Sequence, residues 1–149
     1  MESTNKLSQE DMTLAALAPA EGAPHSPVQV QKLLFLIDRN LSSLLGGPSF
    51  DFQPYHYGPF DRDVYATLGD LAKQGLVEIT QGQGNKWPDY RLTAEGQYRA
   101  LRVMDGLEER AQRYVQRASA FVRSLSFPEL VSAIYKAYPE MRVHSVFQE

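Results

Sequence analysis

The stretch VYATLGDLAKQGLVEIT, residues 64–80, with DYRLT at residues 89–93, decides how this chain is read. At about 100° per residue, Val64, Leu68 and Leu71 share one side of a helix, with Tyr65 and Ala72 at its margin. Gly75 closes that helix. The period then changes. LVEIT and DYRLT each alternate between two faces, so both read as short strands. The polar, glycine-bearing QGQGNKWP between them makes a hairpin whose tip carries Lys86 and Trp87. Trp87, the sole tryptophan, either tucks onto the core, the reading favoured here, or wedges at a groove.

Working back, Asp61 caps a helix at 62–74, Phe60 and Tyr65 bracket its start as a hydrophobic staple, and Asp63 suits its positive end. FDFQPYHY before it alternates as a short strand, which Pro54 confines to a sheet edge or ends, and GPFD follows as a turn. The aromatic residues of this corner are expected to fill the gap between strand and core, with His56 half-buried and hydrogen-bonded beside Tyr55 and Tyr57. Ser26, Pro27 and Gln29 open a helix whose apolar positions Val30, Leu33, Leu34, Ile37, Leu41, Leu44 and Leu45 run to the GGP stop at 46–48. This is the expected central core helix. Further back, Ser8 caps a short helix with apolar positions Met12, Ala15, Ala16 and Leu17. Downstream, 94–125 reads as one long helix with Gly106 as its weak point, and SFPE opens a last helix that ends before Pro139.

With 149 residues, 43% of them hydrophobic and 22% charged, the chain has globular composition and the length of one domain. No cysteine is present, which excludes disulfides and thiol chemistry. The longest apolar run, LLFLI at 33–37, is too short to span a bilayer, and the first residues lack the pattern of a secretory signal. No membrane partner and a cytoplasmic location are expected. The net charge of −3 does not advertise a nucleic-acid binder. Its distribution is uneven: residues 97–149 carry eight basic and six acidic side chains and form the only net-basic part of the chain.

The order helix, helix, strand, helix, hairpin resembles that of a winged helix-turn-helix. VYATLGDLAKQGLVEIT with YRLTAEG is similar to the recognition helix, strand entry and wing of many winged-helix regulators. More specifically, QKLLFLID at 31–38, YGP at 57–59 and the Val64–Tyr65 helix opening resemble the Panacea family of small prokaryotic and phage-associated proteins. The likeness covers residues 28–96. It implies a mainly α fold with a small β-hairpin. An N-terminal helix and turn (1–25) would precede a winged-helix core (26–96), followed by C-terminal helices (97–149), all in a single domain 1–149. The family association implies an antitoxin that neutralises a toxin by direct contact.

No catalytic signature stands in the chain. Three histidines are too few and too scattered for a metal site, no G-x-S-x-G elbow occurs, and GQGNKW lacks the ending and following helix of a phosphate-binding loop. No catalytic residue, metal or cofactor is therefore expected, and contact surfaces are expected to carry the function. One is the outer face of 62–74, with Arg62, Ala66, Gly69 and Lys73, together with Tyr57, Gly58 and Pro59 of the turn. Its charges balance, because Asp63 and Asp70 oppose the two cations, and Ala66 and Gly69 leave a flat spot suited to a protein. The other is a stripe of Arg99, Arg102, Arg110, Arg113 and Arg117 along a continuous 94–125 helix, with Glu109 placed to pair with Arg113. Val103, Met104, Leu107, Ala111, Tyr114, Val115, Ala118, Phe121, Val122 and Leu125 form the adjoining apolar face. Its acidic counterpart is the chain's own N-terminal half, a partner, or a nucleic-acid backbone. A non-enzymatic regulator that binds a protein partner is the leading expectation. The alternative is a dimeric DNA-binding transcriptional regulator using helix 62–74 and the wing 81–88, with Arg62, Lys73, Lys86 and Trp87 at the DNA.

Overall fold

Four of the helices start at a serine or threonine cap that the sequence supplies. In the computed structural model, which describes residues 6–81 and 87–148, the Ser8 side chain accepts from Asp11 N–H and opens α1 (Gln9–Leu17), extended by a 3-10 turn at Ala18–Ala20. Ser26 and Gln29 exchange the two bonds of a capping box at the head of α2 (Pro27–Leu41), and Ser126 and Glu129 do the same for α6 (Phe127–Ala137). Between them lie α3 (Asp63–Lys73), α4 (Ala94–Asp105) and α5 (Glu109–Ser124), and a 3-10 turn at Pro139–Arg142 follows α6. Two antiparallel hairpins complete the described residues: β1 (Gln53–Tyr55) with β2 (Gly58–Phe60), and β3 (Val77–Gln81) with β4 (Pro88–Leu92). The second hairpin is the one expected from sequence. None of the described helices is long and apolar enough to cross a membrane.

The core differs from the expectation in where its centre lies. α1 is buried continuously from Met12 to Leu17 and packs against α2, α3, α4 and α5. Its alanines let neighbouring helices approach closely, so a short helix of low hydrophobic contrast sits at the middle. α2 is buried on nearly all sides, from Val30 to Asp38. It ends at Leu41 rather than running to Leu45; residues 42–46 turn, with Leu45 N–H still bonded to the Leu41 carbonyl. Asp38 explains how the next loop is held. Its two oxygens accept from the Ser49 and Phe50 N–H groups at 2.8 and 3.1 Å. Burial pushes this carboxyl up, against the opposing pull of those two donors.

The expected strand FDFQPYHY and turn GPFD are corrected to a hairpin. The chain reverses at His56 and Tyr57, and GPF is the returning strand, paired Gln53 to Phe60, Pro54 to Pro59 and Tyr55 to Gly58. Gly58 at φ +102° takes the left-handed conformation that this reversal requires. Prolines opposite one another cost no donor on a strand pair with no further neighbours.

The expected single helix 94–125 is also broken. Gly106 and Leu107 N–H groups close 3-10-type bonds to Val103 and Met104, and Glu108 is extended. Gln112 then donates to the Met104 and Leu107 carbonyls at 2.8 and 3.0 Å, satisfying the acceptors that the end of α4 leaves open.

His25 lies fully buried, its backbone bridged to Tyr90 by two hydrogen bonds, with neither ring nitrogen hydrogen-bonded. Burial and the nearby Arg123 charge hold it down at about 4.

Candidate functional site

The corner that mounts α3 is built from both sides. The Asp61 carboxylate accepts from Asp63 N–H at 2.9 Å and from Asp51 N–H at 2.7 Å, so it holds the first helical N–H from one residue outside the N-cap, Arg62, and ties it to the segment before β1. The regular helix begins at Asp63, one residue inside the expected 62–74. Phe60 and Tyr65 meet edge to face at 5.8 Å, the expected staple. A residue the sequence reading passed over does as much: Gln31 of α2 donates to the Asp61 carbonyl and accepts from its N–H, both at 3.0 Å. Its place inside QKLLFLID was the available signal, because a glutamine buried there needs partners.

The aromatic residues of the corner do not all fill a gap. Tyr55 and Tyr57 are 47% and 41% exposed, and His56, expected half-buried, is exposed and stacks on Tyr55 at 4.2 Å. The stack continues through Phe60 and Tyr65 to Tyr90. Tyr57 meets Phe127 of α6 edge to face at 5.2 Å. Of the three corner residues expected at a partner, only Tyr57 is presented; Gly58 and Pro59 are buried.

On α3, Val64, Leu68 and Leu71 are fully buried and Arg62, Asp63, Ala66, Asp70 and Lys73 exposed, as the helical wheel predicts. Thr67, not placed in the core from sequence, is buried as well. A side chain at Gly69 would meet nothing within 4 Å, so the flat spot is open. Asp63 accepts a long bond from Gln9 at 3.3 Å.

The arginine stripe is divided. Arg99 and Arg102 stand exposed on α4, where Arg102 donates to the Tyr98 hydroxyl and lies 5.8 Å over its ring. Arg110, Arg113 and Arg117 stand exposed on α5, at spacings that keep them on one face. Arg113 pairs with Glu109 at 2.8 Å, as expected, and Arg110 with Glu108 at 3.5 Å. Exposed pairs of this kind contribute about 0–1 kcal/mol, so they leave the guanidinium groups available. Phe121, assigned to the apolar face from sequence, is instead 45% exposed one turn beyond Arg117. At about 100° per residue it lies only about 40° from Arg117, at the edge of the face that buries Ala111, Val115, Ala118 and Val122.

Trp87 is 61% exposed rather than tucked onto the core; it immediately precedes β4, whose buried positions are Tyr90 and Leu92. Lys86, the other wing residue singled out, lies outside the described residues.

Two polar side chains under the corner were not foreseen. Lys32 of α2 is buried, and its ammonium nitrogen donates to the Pro59 carbonyl at 3.3 Å. Burial alone lowers it to about 7. The hydroxyl of buried Tyr135 on α6 has no hydrogen-bond partner. Tyr135 also lines a groove of about 680 Å³ along α6, shared with Glu129, Ser132, Lys136 and Arg142. Among the described residues, no three His, Cys, Asp or Glu side chains gather as a metal site. Compared with protein-family models and with curated proteins, the chain gives no match.

Proposed function

We propose that this protein is a non-enzymatic regulator, a winged helix-turn-helix core with helical extensions, that grips an acidic macromolecular partner, in the manner of an antitoxin holding its toxin. The observation that carries this reading is the outer face of α5. Arg110, Arg113 and Arg117 project there, paired among the described residues only with Glu108 and Glu109, and Phe121 continues the row as an exposed aromatic residue. Arginine beside an aromatic residue is the composition of energetically important protein contacts, and its planar fork suits carboxylates. The balanced face of α3, with its open spot at Gly69, favours a protein over a phosphate backbone.

Charge reversal at both Arg110 and Arg113 is expected to weaken partner capture at least about tenfold, by loss of charge-assisted contacts, with the melting temperature held. Co-purification of the wild type and the double variant from the native host, quantified alongside thermal unfolding, reads this out. Equal capture by the two proteins would remove α5 from the interface.

A second reading is supported by exposed Trp87 at the tip of the β3–β4 hairpin: a dimer with α3 in the major groove and the wing alongside. The same proteins, titrated with duplex DNA at low salt, separate the two readings. Binding that falls steeply as salt rises belongs to DNA.

A further inference from the structure

Buried polar groups in folded proteins are nearly always satisfied, and an exception calls for a cause. One such exception and one partly satisfied ammonium meet at one glycine. The Lys32 ammonium carries three donors, of which one reaches Pro59, and no carboxylate of the described residues lies within ion-pair distance of it. The Tyr135 hydroxyl reaches nothing. Both side chains pack on Gly58: a Cβ there would stand 3.8 Å from Lys32 Nζ and 3.3 Å from Tyr135 Cε1. The corner thus brings together a buried amine with one acceptor, the Pro59 carbonyl, and a buried hydroxyl with none.

The surroundings give the site an approach and a cover. The α6 groove reaches Tyr135 from the other side, and Lys136 and Arg142 stand on its walls, Arg142 lying 5.6 Å over the Tyr135 ring. Glu129, the acid on that wall, is engaged in the capping box of α6. Residues 143–148 lie across the corner. Val146 N–H donates to the His56 carbonyl at 2.9 Å, Ser145 Oγ reaches the same oxygen at 3.4 Å, and the Phe147 ring rests on Phe127 and Tyr135. Val143 and Val146 remain 68% and 56% exposed, so this segment is held shallowly.

We propose that the corner is an oxyanion-binding site: a carboxylate or phosphate group enters along the α6 groove as residues 143–148 shift, and is held by Lys32 Nζ and Tyr135 Oη, with Lys136 and Arg142 as outer cations. An ammonium and a hydroxyl, both donors, recognise oxygen anions and nothing else of comparable charge. The bound anion supplies the counter-charge that the fold withholds from Lys32, and binding takes up a proton wherever the free amine is neutral. The titratable groups along the route to Lys32 are Tyr135, Glu129 and Lys136 of α6 and Arg142 of the turn after it. Glu129 is the one acid among them, tied to the Ser126 N–H and outnumbered by the two cations.

The site is independent of the α5 arginines, which permits a clean test. Inorganic phosphate and, separately, acetate are titrated at constant ionic strength, following the amide NMR signals of Gly58, His56 and residues 143–148. The proteins compared are the wild type, Lys32→Met, Tyr135→Phe and the Arg110/Arg113 charge-reversal variant. Saturable shifts are expected in the wild type and in the charge-reversal protein. Affinity falls about tenfold or more in Lys32→Met and by a smaller factor in Tyr135→Phe, in line with loss of a charged and a neutral donor. Acetate affinity in the wild type is expected to fall about tenfold per pH unit above 7, as the ammonium is lost. The tighter of the two anions identifies the ligand class. Wild-type affinity in Lys32→Met, or no saturable shift with either anion, overturns the proposal.

Discussion

Gly96→Ala is expected to destabilise the protein by about 3 kcal/mol or more, through overpacking against rigid backbone. The cause is a close approach, not an unusual backbone angle. A Cβ at Gly96 would overlap the Leu76 carbonyl oxygen and stand 2.8 Å from its carbon. Neither partner can yield cheaply. The Leu76 oxygen accepts from Thr93 N–H at 3.1 Å; the Thr93 hydroxyl donates to the Gly75 carbonyl at 2.7 Å and accepts from Gly96 N–H at 3.0 Å. Backing α4 away would break this cap and open the contact of α4 with α1. The gain in helix propensity from alanine, about 1 kcal/mol, offsets only part of the loss. Gly69→Ala supplies the contrast: nothing lies within 4 Å of its Cβ on the outer face of α3, so there the propensity gain stands unopposed. Urea unfolding of both variants checks the pair. If Gly96→Ala proves as mild as Gly69→Ala, the junction of α4 with the α3–β3 turn is looser than these contacts require.

The same junction shows what the sequence made legible. Helix 62–74, observed as Asp63–Lys73, and the hairpin after it follow from spacing alone, because their periods differ: the helix buries Val64, Leu68 and Leu71, and β4 buries alternate residues Tyr90 and Leu92, although Ile79 of β3 is exposed. The caps at Ser8, Ser26 and Ser126 were legible for a similar reason, since they satisfy backbone donors within three residues. What depends on distant partners was not legible. α4 ends where it does because Gln112 reaches back eight residues to Met104, whereas Gly106 by itself is tolerated within a helix. The Gly58 reversal was hidden because GPF reads equally well as a turn or as a short returning strand. α1 gave almost no signal of its central place, because alanines contribute close approach rather than hydrophobic contrast. The candidate surface was half legible: the α5 arginines follow from helical spacing, but Lys32 looked like one polar residue on an amphipathic helix. It is buried because β2 and α6 cover the side of α2 that periodicity left to solvent.

That covering leads to the second large effect. Lys32→Met is expected to stabilise the protein by about 3 kcal/mol at pH 7, and by close to nothing at pH 10. Burial lowers the Lys32 amine from 10.5 in the unfolded chain to about 7 in the fold. Between those values the unfolded chain holds a proton that the folded protein does not, so wild-type stability rises with pH from 7 toward 10.5. At pH 7 and below, the native protein carries nearly the full cost, roughly 4–5 kcal/mol at 1.36 kcal/mol for each tenfold loss of proton affinity. Methionine matches the lysine stem in length and carries no charge. It gives up the bond to Pro59, worth about 1 kcal/mol, which accounts for the smaller net gain. The unfolding free energy of the variant should therefore be nearly flat from pH 7 to 10, where that of the wild type climbs. Above pH 10, Tyr65, raised by burial to about 12, turns both curves down, because the unfolded chain ionises first. Below pH 6.5, His25 at about 4 costs both proteins stability, since only the unfolded chain takes up that proton. Urea unfolding of the two proteins from pH 5 to 11 measures all three limbs. A wild-type curve already flat from 7 to 10, or a variant less stable than wild type at pH 7, would mean that Lys32 has found water or a counter-charge. A buried amine kept at this cost is a candidate for function on physical grounds, because an apolar residue of the same length would serve the fold better.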